Sequence, residues 1–320
     1  MTRAALIVLL LVVAGCVGAT TESPAPVDQS APGTWATLAP LPRPRQEVAV
    51  VAFDACVWVI GGFAGSAEPV ATVEAYDPAT NSWQERPALP EPTHHAAAAV
   101  VDGRLFVIGG YTGGRVRWTP ADAVYEFDAP RNIWQPRSPM PTPRGALALA
   151  VVNGRVHALG GAAEQVSRAH EVYDPATNQW RTANAMPTAR DHLAAVAFGG
   201  HVWALGGRHS FMGTQYANVE IYDPATDSWR TGSPLPAGRG GIAAAALGDR
   251  ILVFGGEAPL RIFNSTEMYE PGANRWIAKA PMPTARHGIG AAVVDGRVYV
   301  PGGGRQPGYA ASDVNEAYTP

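Results

Sequence analysis

Ten residues after each of six evenly spaced tryptophans (Trp35, Trp83, Trp134, Trp180, Trp229 and Trp276) stand Arg45, Thr93, Arg144, Arg190, Arg239 and Arg286. A guanidinium presents a planar fork of donors that fits a carboxylate or a pair of hydroxyls. Five such forks at one repeated position either tie the copies together or ring a ligand, and residue type leaves both readings open. The next two positions do not repeat: Gln46 and Glu47, His94 and His95, Gly145 and Ala146, Asp191 and His192, Gly240 and Gly241, His287 and Gly288. A scaffold makes the same demand in every copy, so polar residues that differ between copies are the better ligand candidates. Glu47, His95, Asp191 and His192, with Glu257, are candidates for an acid and a base acting on one ligand. Aromatic residues add a surface. The stretch "YTGGRVRWTP" (111 to 120) carries Tyr111, Arg115, Arg117 and Trp118, and "RHSFMGTQY" (208 to 216) carries Arg208, Phe211 and Tyr216. An aromatic face flanked by guanidinium groups suits stacking on a sugar ring or gripping a peptide.

Other signals are weaker. His94, Asp191 and His287 share one column, which raises a metal site, but they belong to the second, fourth and sixth copies and fall on alternate sides of any closed ring. No metal and no cofactor are therefore expected. The glycines of "GGYTGGR" follow a strand without opening a helix, so they lack the context of a phosphate loop. Neither a Gly-x-Ser-x-Gly elbow nor a Cys-His pair is placed for nucleophilic catalysis.

The elements that must position these side chains follow from the repeat. Gly-Gly pairs begin at Gly61, Gly109, Gly160, Gly206, Gly255 and Gly302, each 26 residues after its tryptophan. Tyr76, Phe127, Tyr173, Tyr222 and Tyr269 precede the next tryptophan by seven. All length variation lies between the Gly-Gly and that aromatic, which marks this stretch as loop and the rest as scaffold. Asp-Gly or Asn-Gly between two apolar runs, as at Asp102, Asn153 and Asp295, is a β-hairpin signal. The recurring "YDPATNSW" turn joins a further strand pair, with the Asp77 carboxylate capping a backbone N–H and Pro78 presetting φ. Each copy thus holds four short strands, a to d.

The Gly-Gly, the aspartate-proline turn and the spaced tryptophan resemble the kelch repeat, over residues 35–320. The resemblance implies an all-β, six-bladed kelch-type β-propeller. The pattern opens at Trp35 on a d strand and stops at "NEAYTP" after a c strand, so the N-terminal strand is expected to close the last blade. Propellers host binders and enzymes alike. One reading is a surface-anchored recognition module that takes a protein or glycan on its variable-loop face through the residues above. The other is a sugar-active enzyme resembling the kelch-type sialic acid mutarotases (N-acetylneuraminate epimerase). Copper chemistry of the galactose oxidase kind needs a cysteine beside the metal, and Cys56 falls in an a–b turn on the opposite face.

The chain's beginning sets its expected location. Arg3 precedes a short apolar run ending in "VAGC", which resembles a bacterial lipoprotein signal: residues 1–15 would be removed and Cys16 acylated. Residues 16–34 are small, polar and proline-rich, the composition of a flexible tether. The expected product is exported, lipid-anchored to the cell envelope and monomeric. A net charge of −3 with 16% charged residues offers no basic stripe for nucleic acid.

Overall fold

The structure, a computed structural model, describes residues 32–114 and 117–320. The signal segment, Cys16 and Arg115 lie outside the described residues. Six four-stranded antiparallel sheets are arranged as blades around one axis. Blade 1 runs Ala49–Phe53, Cys56–Ile60, Val73–Asp77 and Ser82–Arg86 from axis to rim. Blades 2 to 5 repeat that order, and their innermost strands are Ala97–Val101, Ala148–Val152, Ala194–Phe198 and Ala243–Leu247. Blade 6 joins Ala292–Val294, Arg297–Pro301 and Asn315–Thr319 to the N-terminal Thr34–Thr37, with Trp35 opposite Tyr318. The expected closure by the N-terminal strand is what the structure has.

Why alanine-rich stretches become strands is clear from their place. Six innermost strands converge on the axis and face one another across a narrow channel lined almost wholly by Ala, Val, Leu and Ile. Only small side chains fit there, so this packing overrides the helical preference of alanine.

The repeat residues are inter-blade fasteners. Each of the six tryptophans donates its indole N–H to a backbone carbonyl of the preceding blade's trailing segment: Trp83 to Ala39, Trp134 to Pro87, Trp180 to Ser138, Trp229 to Asn184, Trp276 to Ser233 and Trp35 to Ala280. The "YDPATN" turn works from the same face. Asp77 caps the Ala79 N–H, while the Asn81 carbonyl oxygen accepts both the Tyr76 hydroxyl and the Ala39 N–H of blade 6. Asn178 and Asp227 repeat this clip.

The five column arginines are also internal. They are 0–1% exposed, and each pairs with the glutamate of its blade's third strand: Arg45–Glu74 (2.5 Å), Arg144–Glu171 (2.5 Å), Arg190–Glu220 (3.0 Å), Arg239–Glu267 and Arg286–Glu316 (2.7 Å). Further guanidinium N–H groups reach backbone carbonyls, including in every case that of the first glycine of the same blade's Gly-Gly pair. Burial pulls all five guanidinium groups below their usual range against the pull of the glutamates. A ligand on the loop face therefore does not meet Arg45, Arg144, Arg190, Arg239 or Arg286, and of the two readings of this column the structure places them as blade ties.

Candidate functional site

Where the column after the arginines reaches the axis, the backbone forms a closed ring. Each N–H of Glu47, His95, Ala146, His192, Gly241 and Gly288 donates to the carbonyl of the residue before it around the circle, at 2.8–3.0 Å. To do so all six adopt left-handed φ: 53° at Glu47, His95 and Ala146, 50° at His192, 63° at Gly241 and 59° at Gly288. Glycine takes this conformation freely, whereas a side chain there costs on the order of 1 kcal/mol or more. Blades 5 and 6 use glycine. The other four do not, and three of them are Glu47, His95 and His192, whose polar atoms converge within 4.8 Å of one another.

This ring floors a cavity of about 830 Å³ on the variable-loop face. Glu47, His95, Asp191, His192, Arg208, Glu257 and His287 line its polar base. His95 Nε2 lies 3.3 Å from Glu47 Oε2, and its Nδ1 is 2.6 Å from Nδ1 of the buried His94. The His192 Nδ1 faces Asp191 Oδ1 at 2.7 Å, and its Nε2 accepts from the Arg208 guanidinium at 2.9 Å. Arg208 also pairs with Glu257 at 2.5 Å and approaches Asp191 at 3.5 Å. Burial holds the His95 imidazole well below its usual range, helped by the nearby His192, and brings His94 down to about 3. Burial pushes the Asp191 carboxyl up, but His192 and Arg208 together outweigh it and leave it below the usual carboxylate range.

One wall is aromatic. Trp118 lies 5.3 Å from Tyr111, 5.8 Å from Phe63 and 4.9 Å from His95, centroid to centroid, and Tyr309 stands edge-on to Phe63 at 5.2 Å. Trp118 and Tyr309 keep 37% and 46% of their surface exposed, so the wall is open to a ligand. Phe211 lies under Arg208 across the mouth, 5.4 Å from the guanidinium carbon.

Of the candidates read from sequence, the structure gathers Glu47, His95, Asp191, His192, His287, Tyr111, Trp118 and Arg208 on this cavity. His94 is fully buried behind it, stacked on Phe63 at 4.0 Å. Phe63 and Tyr309 were not anticipated. For Phe63 a signal existed: the residue just after Gly-Gly is Phe63, Tyr111, Ala162, Arg208, Glu257 and Gly304 in the six copies. Each pairs its backbone with the position before the ring, as Tyr111 does with His94 and Arg208 with Asp191. The site is thus two irregular columns laid side by side.

If Glu47 and His192 hold strained backbone for the sake of the cavity, then Glu47→Gly and His192→Gly should fold normally, with stability unchanged or raised by about 1 kcal/mol. A thermal melt showing a loss of more than about 1 kcal/mol would instead make these side chains structural.

A family profile described as the KLHDC2/KLHL20/DRC7 Kelch-repeats domain matches residues 33–207 and 172–303. No curated protein matches the chain significantly. Among solved structures, that of YjhT superposes with a TM-score of 0.74 at 18% identity, covering 87% of this chain and 95% of the other.

Proposed function

Because the chain belongs to the kelch-repeat family, whose propellers carry their function in loops, we propose that it binds a carbohydrate in the axial cavity of the variable-loop face. One observation carries the reading: an aromatic wall, the exposed Trp118 and Tyr309 backed by the buried Tyr111 and Phe63, stands over a floor of carboxylates, imidazoles and the Arg208 guanidinium. Sugar rings present an apolar C–H face and a rim of hydroxyls, and this cavity offers a partner to each. Its volume lies in the range of small-ligand pockets. That favours a saccharide over the broad, shallow contact a protein partner would need.

A second reading has its own support. The floor holds groups in unlike protonation environments, with neutral His95 against Glu47 and ionised Asp191 against His192. Such pairs move protons to and from an anomeric hydroxyl, the chemistry of a mutarotase acting on a sugar acid. Anchoring of the domain to a membrane through Cys16 is part of the same proposal and rests on "VAGC".

Calorimetric titration of the full chain with mono- and disaccharides, N-acetylneuraminate among them, is expected to give saturable one-site binding that weakens about tenfold or more in Trp118→Ala. No binding across the panel, or binding indifferent to Trp118, would overturn the carbohydrate reading. Faster α/β exchange in NMR, lost in Glu47→Gln, would establish the catalytic one. Labelled palmitate entering the chain, but not its Cys16→Ser variant, is the expected result for the anchor.

A further inference from the structure

We propose that Glu47, His95 and His192 form a three-ligand site for a divalent transition-metal cation of the zinc class, with its open positions toward the cavity. Two imidazoles and one carboxylate are a donor set that zinc and ferrous iron accept with coordination positions left for water or substrate.

Geometry is the first support. Ligand atoms about 2.0–2.1 Å from a tetrahedral metal stand about 3.3 Å apart. The His95 Nε2 to Glu47 Oε2 distance is 3.3 Å, and His192 Nε2 lies 4.0 Å from the same oxygen. All three side chains spring from the hydrogen-bonded ring, so their backbone positions are fixed. In each histidine the far nitrogen is engaged, His192 Nδ1 by the Asp191 carboxylate and His95 Nδ1 by His94, which turns Nε2 inward. A carboxylate behind an imidazole is the arrangement that orients metal-binding histidines.

The surroundings supply an independent observation. His287 is 1% exposed and its Nε2 donates to the Gln306 carbonyl, yet among the described residues its Nδ1 has no hydrogen-bond partner and faces Glu47 at 3.6 Å and Glu257 at 3.4 Å. The second oxygen of Glu257, 2% exposed, also has none. Buried polar atoms without partners are rare. Charge points the same way: among the described residues, Glu47, Asp191 and Glu257 face the guanidinium of Arg208 on this floor, a formal excess of two negative charges.

Arg208 is the gatekeeper. Its guanidinium donates to His192 Nε2 at 2.9 Å, so it competes with a cation for that lone pair. Glu257 and Asp191 can hold it when it swings aside. Removing it should therefore strengthen metal binding, both by freeing the His192 lone pair and by taking a positive charge from the floor.

The test needs no sugar, so it stands or falls apart from the carbohydrate reading. The metal-stripped full chain is titrated with Zn²⁺ by calorimetry, and with Co²⁺ followed by its visible absorption. One equivalent is expected, with tetrahedral Co²⁺ bands, weakened at least 100-fold by His95→Gly or His192→Gly and tightened about tenfold by Arg208→Gln. Glycine is chosen because the ring already accepts it in two blades, and unchanged melting of the apo variants verifies the fold. Absence of a stoichiometric site, or a site untouched by both histidine variants, overturns the proposal. So does loss of binding in Arg208→Gln.

Discussion

Arg190→Ala is expected to lower the stability of the propeller by about 3–5 kcal/mol, read as a shift of the urea midpoint at constant slope. The substitution leaves Glu220 4% exposed at its side chain with no cation, and it takes a donor from each of the carbonyls of Ala204, Gly206 and Asn218. An uncompensated buried charge is far costlier than a missing pair of well-matched apolar groups. Arg190→Met combined with Glu220→Leu should therefore recover most of the loss. If Arg190→Ala instead melts like the parent and fails only in ligand binding, the arginine column faces the ligand after all.

Acid should loosen the joint between blades 3 and 4. The His157 and His170 rings lie in hydrogen-bond contact at 2.8 Å and pack on Tyr222 and Trp229. Burial, with the other ring's proximity adding to it, brings His157 down to about 3, and burial brings His170 down to about 4. In the unfolded chain both titrate near 6.5. Between pH 6.5 and about 4 the unfolded state thus binds more protons, and stability falls as pH falls. At about 1.4 kcal/mol per pH unit for each ring, moving from pH 7 to pH 5 should cost roughly 2–4 kcal/mol through this pair, to which the buried His94 and His95 add. The variant His157→Phe/His170→Val, which installs the residues found in blade 2 at these columns (Phe106 and Val124), should flatten that limb of the pH–stability curve. An unchanged limb would show that other groups govern acid unfolding.

The architecture was legible because its determinants recur. Tryptophan, Gly-Gly and the "YDPATN" turn each fix a backbone contact that every blade must make, so their spacing carries the fold. The role of the arginines is written in the same repeats. Nine residues before each tryptophan stand Glu74, Tyr125, Glu171, Glu220 and Glu267, and Glu316 falls at the matching place in blade 6. Blade 2 lacks both the arginine (Thr93) and the glutamate (Tyr125), as a bonded pair predicts. Glu126, one residue on, is held instead by Arg104 and Arg137.

The site was legible only in part, and for a physical reason. Irregularity marked Glu47, His95, Asp191 and His192, but which of two neighbouring columns faces the axis depends on the left-handed turn at the ring. That conformation is expected of glycine and was not foreseeable at Glu47 or His192. The objection that His94, Asp191 and His287 stand on alternate sides holds for their own column. One residue further, the ring is narrow enough to bring blades 1, 2 and 4 together.

The last blade has a consequence for how the chain is made. Thr34–Thr37 is synthesised before every other described strand, yet its strand partner is Asn315–Thr319, and the Tyr318 hydroxyl reaches the Pro32 carbonyl across 286 positions. A chain halted before Asn315 therefore exposes two adhesive borders at once, the orphaned first strand and the uncovered flank of Arg297–Pro301. Only a chain that already carries Asn315–Thr319 hides both; one that lacks this strand is left open to proteases and aggregation.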